Sequence, residues 1–140
     1  MIFRYLKLLL VFFFLSSSLE AKTQFFTEGL NFYKNNKFDE AKFKFEQDLV
    51  LNPKNELSYL YLSKIFKNLK KKDLEEQNLN TVILLNPKNE EAIYNLAKLK
   101  LSTSDYKTSE ELNKKLKSIC INFCEKSDKL KTEINNLLKK

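Results

Sequence analysis

The sequence predicts an all-α protein, a solenoid of about three helical hairpins followed by a C-terminal capping helix. Three observations point there. The hexapeptide LNPKNE occurs at 51–56 and again at 85–90, so that Pro53 and Pro87 punctuate the chain in the same way twice. Apolar residues recur at intervals of three and four through most of the chain, the spacing of a helix buried along one face. One glycine and two prolines in 140 residues leave little material for tight β-hairpins, whereas leucine, lysine, glutamate and alanine all favour helix.

Positions 1–21 stand apart. Arg4 and Lys7 precede an apolar run from Leu8 to Leu15, and SSSLEA then ends on a small residue, Ala21. That is the layout of a secretory signal peptide cut after Ala21. The run is shorter than the ~20 apolar residues of a spanning helix. The expectation is a mature chain, 22–140, that is periplasmic or secreted and makes no stable membrane insertion, with an uncleaved anchor as the alternative. No cysteine lies near the cut to carry a lipid.

The two copies of LNPKNE set the period, and windows of that length, 22–55, 56–89 and 90–123, repeat their chemistry. One column holds Gly29, Ser63 and Ala97, small in every window, as required where two helices approach closely. Glycine inside a helix costs about 1 kcal/mol against alanine, so Gly29 needs such a packing reason. Another column holds Phe25, Tyr59 and Ile93, and a third holds Phe32 and Phe66 before departing at Lys100. The second halves align Phe38, Lys72 and Tyr106, then Ala41, Glu75 and Ser109, then Phe45, Leu79 and Asn113. Asn35-Asn36-Lys37 reads as the turn inside the first hairpin, with Asn36 capping the second helix and Ser104 doing the same in the third window.

LNPKNE reads as a stop and a start. Proline lacks an N–H and cannot continue the helix before it. The following asparagine, Asn55 or Asn89, is a good N-cap, and Glu56 or Glu90 puts negative charge at the positive end of the next helix. Beyond the third window, Leu112, Leu116, Ile119, Phe123, Leu130, Ile134 and Leu137 keep a helical spacing. The tail, 124–140, is expected to cap the stack, with a break near Ser127-Asp128.

The pattern resembles the tetratricopeptide repeat family, whose units are helix-turn-helix hairpins of this same period. The resemblance rests on Gly29, Phe32, Phe38, Ala41, Phe45 and Pro53 in the first window and on Tyr59, Leu62, Ser63, Phe66, Leu79 and Pro87 in the second. The third keeps Ile93, Leu96, Ala97 and Tyr106 but has Ile121 where the closing proline belongs, and Glu28 and Glu75 also depart from the family pattern. The resemblance implies a right-handed solenoid whose first helices line a groove. It places Phe26, Leu30, Tyr33, Leu60, Lys64, Lys67, Tyr94, Lys98 and Leu101 toward a ligand. Aromatic anchors beside lysines suit a peptide or helix with apolar and acidic groups. Phe26 and Leu30 occupy the places of the lysine-and-asparagine clamp that some members use for a terminal carboxylate.

The remaining chemistry is sparse. The chain has no histidine, which removes the commonest general base and metal ligand. A single glycine cannot build a phosphate-cradling loop. The pairs Glu75-Glu76, Glu90-Glu91 and Glu110-Glu111 read as solvated charge, so neither an enzyme nor a cofactor is expected. A formal charge of +7 is mild and, apart from Lys67 and Lys70-Lys71-Lys72, dispersed, which argues against a nucleic-acid partner. Cys120 and Cys124 are compatible with a structural disulfide, with two buried thiols, or with redox work. The spacing is not the C-x-x-C of oxidoreductases. The expected role is a non-catalytic interaction module or scaffold of the bacterial periplasm. The alternatives are a thiol-active accessory factor in envelope redox or cytochrome maturation, and a self-assembling protein that forms homo-oligomers.

Overall fold

The computed structural model describes residues 23–139, so the expected leader, 1–21, lies outside the described residues. Among the described residues, seven helices run in order: α1 (Gln24–Lys34), α2 (Phe38–Leu51), α3 (Glu56–Asn68), α4 (Lys72–Leu85), α5 (Glu90–Ser102), α6 (Tyr106–Ile119) and α7 (Cys124–Leu138). No strand occurs among the described residues. Successive second helices, α2, α4 and α6, begin at Phe38, Lys72 and Tyr106, one repeat period after another. The starts of α3, α5 and α7, at Glu56, Glu90 and Cys124, keep the same period. α7 therefore starts where the first helix of a further hairpin would start. Helices pair as α1 with α2, α3 with α4 and α5 with α6, and each pair packs on the next through α2 with α3, α4 with α5, and α6 with α7.

Three turns inside the hairpins share one geometry. Asn36, Lys70 and Ser104 are left-handed, with φ of 57°, 56° and 62°. In each turn the following N–H reaches back over a full helical turn: Lys37 donates to the Phe32 carbonyl at 3.0 Å, Lys71 to Phe66 at 2.9 Å and Asp105 to Lys100 at 2.9 Å. The left-handed residues themselves donate to Tyr33, Lys67 and Leu101. These are Schellman closures of the preceding helix. Asn36 and Ser104 are thus not the expected N-caps: a left-handed residue ends a helix, and the caps of α2 and α6 are Lys37 and Asp105. Asp105 accepts from the Thr108 N–H at 3.2 Å.

Between hairpins, LNPKNE stops one helix and starts another. The Asn55 side chain accepts from the Leu57 N–H at 3.2 Å and Asn89 from the Ala92 N–H at 2.9 Å. Its glutamate also reaches forward to the next loop. Asn86 donates from Nδ2 to Glu56 at 3.0 Å, and Ile121, Asn122 and Phe123 donate their N–H groups to the Glu90 carboxylate at 2.8, 2.9 and 2.8 Å. Those three bonds hold 121–123 out of helix, so the break in the tail falls there and not near Ser127-Asp128. Ser127 is instead a buried residue of α7, donating from Oγ to Asn113 Oδ1 at 2.9 Å.

The interior runs from end to end. Phe26, Ala41, Phe45, Leu62, Ile65 and Phe66 form one cluster, and Leu60, Leu79, Val82, Ala92, Leu96 and Leu99 form the next. Leu57 touches both. Ala97, Leu101, Leu130 and Ile134 close the far end, joined to the middle through Leu112. Each cluster draws on neighbouring hairpins, which is why one hairpin could not cover its own apolar face. Gly29 is small because a Cβ there would lie 2.8 Å from Phe45 Cε1.

Polar residues inside this interior are mostly satisfied. The buried Asp48 carboxylate accepts from Thr23, Ser58 and, at 2.7 Å, Asn55. It thereby ties the start of α1 and the end of α2 to the start of α3. Asn113, an odd residue in its column, donates to the Ser127 carbonyl of α7 at 3.1 Å. Lys100, another departure, meets Glu76 of α4 at 2.6 Å.

Candidate functional site

Helices α1, α3 and α5 carry the residues that the sequence assigns to ligand contact. Three of those nine side chains are covered by the chain itself. Phe26 is 1 % exposed, with its ring 5.7 Å from Phe45 and 6.2 Å from Tyr61. Leu60 is 4 % exposed among Leu79, Val82 and Leu96, and Leu101 is 6 % exposed against Leu130 and Ile134 of α7. Side chains so enclosed offer no surface to a partner, so these three belong to the core. Leu30, Tyr33, Lys64, Tyr94 and Lys98 are half-buried and Lys67 is exposed.

The accessible residues form a row that crosses from hairpin to hairpin. Tyr33 of α1 meets Tyr61 of α3 edge-on with centroids 5.1 Å apart. Lys64 sits over that Tyr61 ring at 4.7 Å and pairs with Glu91 of α5 at 2.9 Å. One turn along α5, Tyr94 meets Phe123 at 5.7 Å, and Lys126 lies 3.9 Å from the Phe123 centroid. Lys98 reaches Glu133 of α7 at 2.7 Å. Two of the three expected basic contacts are therefore engaged across helices, which leaves the row closer to neutral than its lysines suggest. Tyr61, Glu91, Phe123 and Glu133 are not among the residues that the sequence assigns. Only the repeat register could find them, by setting successive first helices side by side.

Cys120 and Cys124 are joined by a disulfide, with Cα atoms 5.2 Å apart. The bond spans the loop between α6 and α7, the same loop that the Glu90 carboxylate binds. Burial would raise the Glu90 pKa, but the three N–H groups outweigh it and hold the carboxyl below the usual carboxylate range. Glu75 behaves in the opposite sense. It is 5 % exposed, and burial raises its pKa while Lys67 and Lys72 pull it back in part.

No protein-family model matches the chain, and no curated protein matches it. Solved structures do. The Yersinia enterocolitica type III secretion chaperone SycD, in complex with a peptide of the translocator YopD, superposes with a TM-score of 0.74 at 19 % identity, covering 89 % of this chain and 97 % of that one. The first tetratricopeptide domain of Spaghetti (RPAP3), bound to the HSP90 peptide SRMEEVD, gives 0.74 at 18 % identity over 83 % and 91 %. The TPR2B domain of yeast Sti1 with pHsp70 gives 0.73 at 13 % identity over 79 % and 93 %. The fold is that of tetratricopeptide-repeat domains.

Proposed function

We propose that the chain is a non-catalytic protein-interaction module of the bacterial periplasm, holding a peptide or helix of a partner protein against the row on α1, α3 and α5. The observation that carries this reading is the row's continuity. Tyr33, Tyr61, Lys64 and Tyr94 offer rigid aromatic surface with cationic neighbours, the composition of binding hot spots. Similar folds with bound peptides of HSP90, YopD and Hsp70 support the same use here. The layout of 1–21 supports export.

Affinity capture from envelope extract tests it. The native chain should recover a specific partner, and Tyr33→Ala, Lys64→Glu or Tyr94→Ala should each weaken recovery about tenfold, the scale of a hot-spot loss of about 1.4 kcal/mol. Undiminished recovery by all three variants would exclude this face. A second reading, thiol exchange with a partner, is favoured by the position of the disulfide beside Ile121, which is 84 % exposed. Full function after Cys120→Ser with Cys124→Ser would retire it.

A further inference from the structure

The four most exposed large apolar side chains among the described residues gather at one end of the helices. Val50, Leu51, Leu84 and Ile121 are 65–84 % exposed, and no other large apolar residue described exceeds 56 %. Val50 and Leu51 close α2, Leu84 lies in the last turn of α4, and Ile121 lies in the loop after α6. Hydrogen bonds set the three loops between hairpins side by side. Asn86 of the second loop meets Glu56 beside the first, and 121–123 of the third meet Glu90 beside the second. Those bonds also occupy the carboxylates of this end, and Asp48 is buried under Thr23, Asn55 and Ser58. Lys54 and Lys88 stand exposed in the first two loops. The surface that remains is aliphatic and cationic.

Chain direction adds an independent observation. α1 begins at this same end, because Thr23 bonds Asp48 near the end of α2. The apolar run 8–15 precedes Thr23 by the stretch 16–22, whose seven residues reach at most about 25 Å. The leader therefore joins the fold at the end that carries the exposed aliphatic residues. We propose that this end rests on an anionic lipid bilayer, with Val50, Leu51, Leu84 and Ile121 entering the interfacial layer and Lys54 and Lys88 meeting lipid phosphates. Protruding aliphatic groups with lysines beside them suit an anionic membrane surface. The contact is peripheral, since no described helix is long and apolar enough to cross a membrane. A protein partner fits this end less well, because hot spots of protein interfaces favour Trp, Tyr and Arg over Leu and Val. Tyr33 and Lys64 lie farther along α1 and α3, so the bilayer leaves them open to a peptide.

The chain has no tryptophan, so Leu84→Trp or Ile121→Trp, made singly in the full chain, reports its own surroundings. The probes are vesicles of equal parts phosphatidylcholine and phosphatidylglycerol, compared with vesicles of phosphatidylcholine alone. On the anionic vesicles both tryptophans should emit at shorter wavelength and be quenched by lipid brominated close to its headgroup. Phe43→Trp, midway along α2, should do neither. In co-sedimentation with the same vesicles, Lys54→Gln with Lys88→Gln should weaken binding about tenfold, and Val50→Glu with Leu84→Glu should weaken it at least as much. Side chains this exposed can be exchanged without loss of the fold, which an unchanged helical circular-dichroism spectrum verifies. Equal binding to both kinds of vesicle would overturn the proposal. So would binding indifferent to the lysine and glutamate changes, which would mean that the leader alone holds the chain. A shift to shorter wavelength on concentrating the chain without lipid would place a second copy on this end and overturn it too. Tyr33→Ala should leave vesicle binding unchanged, so this proposal and the peptide reading fail separately.

Discussion

Gly29 shows how much one missing methyl group decides. Helix propensity alone would favour alanine there by about 1 kcal/mol. The Phe45 ring, however, is pinned by stacking on Tyr61 at 5.2 Å and by contact with Phe26, so it cannot yield to a Cβ at 2.8 Å. Overpacking costs about 1–3 kcal/mol, and Gly29→Ala should therefore destabilise by about 1 kcal/mol in denaturant titration. An unchanged or raised midpoint would show that Phe45 moves freely. Ser104 presents the opposite case, since a non-glycine side chain at φ 62° is strained. Ser104→Gly should gain up to about 1 kcal/mol in the same assay, a little offset by the freer unfolded chain.

At the scale of elements, α7 is held at its start by two devices, the disulfide and the Glu90 carboxylate. Because the folded pKa of Glu90 lies below the ordinary 4.5, its contribution is complete above that value and disappears as pH falls through the lower, folded pKa. Glu90→Gln should thus lower the melting temperature at pH 7, with the gap from the native chain closing as the pH is taken from 4.5 downward. A constant gap would mean that the charge on Glu90 plays no part. The start of α7 also marks where sequence reading reached and where it stopped. The helix periods and the LNPKNE boundaries were legible because proline, asparagine and glutamate act on the backbone close to their own positions. The break at 121–123 was not, because it depends on a carboxylate at the far end of the preceding hairpin. Nor do Lys70 and Ser104 carry any sign of a left-handed turn. Only their register with Asn36 betrays it.

At the scale of the molecule, the seven helices of the described residues share one interior, and the row from Tyr33 to Tyr94 exists only because neighbouring hairpins are in register. Position within a hairpin told which side a residue faces, and for Leu30, Tyr33, Lys64, Lys67, Tyr94 and Lys98 that left surface exposed. It did not tell how far the next hairpin covers it, and Phe26, Leu60 and Leu101 went into the core for that reason. The lysine pairs with Glu91 and Glu133 were hidden in the same way, since each joins two helices that only stacking brings together. The most direct measurement is amide hydrogen exchange of the chain with and without its captured partner. Slowed exchange concentrated in α1, α3 and α5 is the predicted result, and slowed exchange confined to α2, α4 and α6 would contradict it.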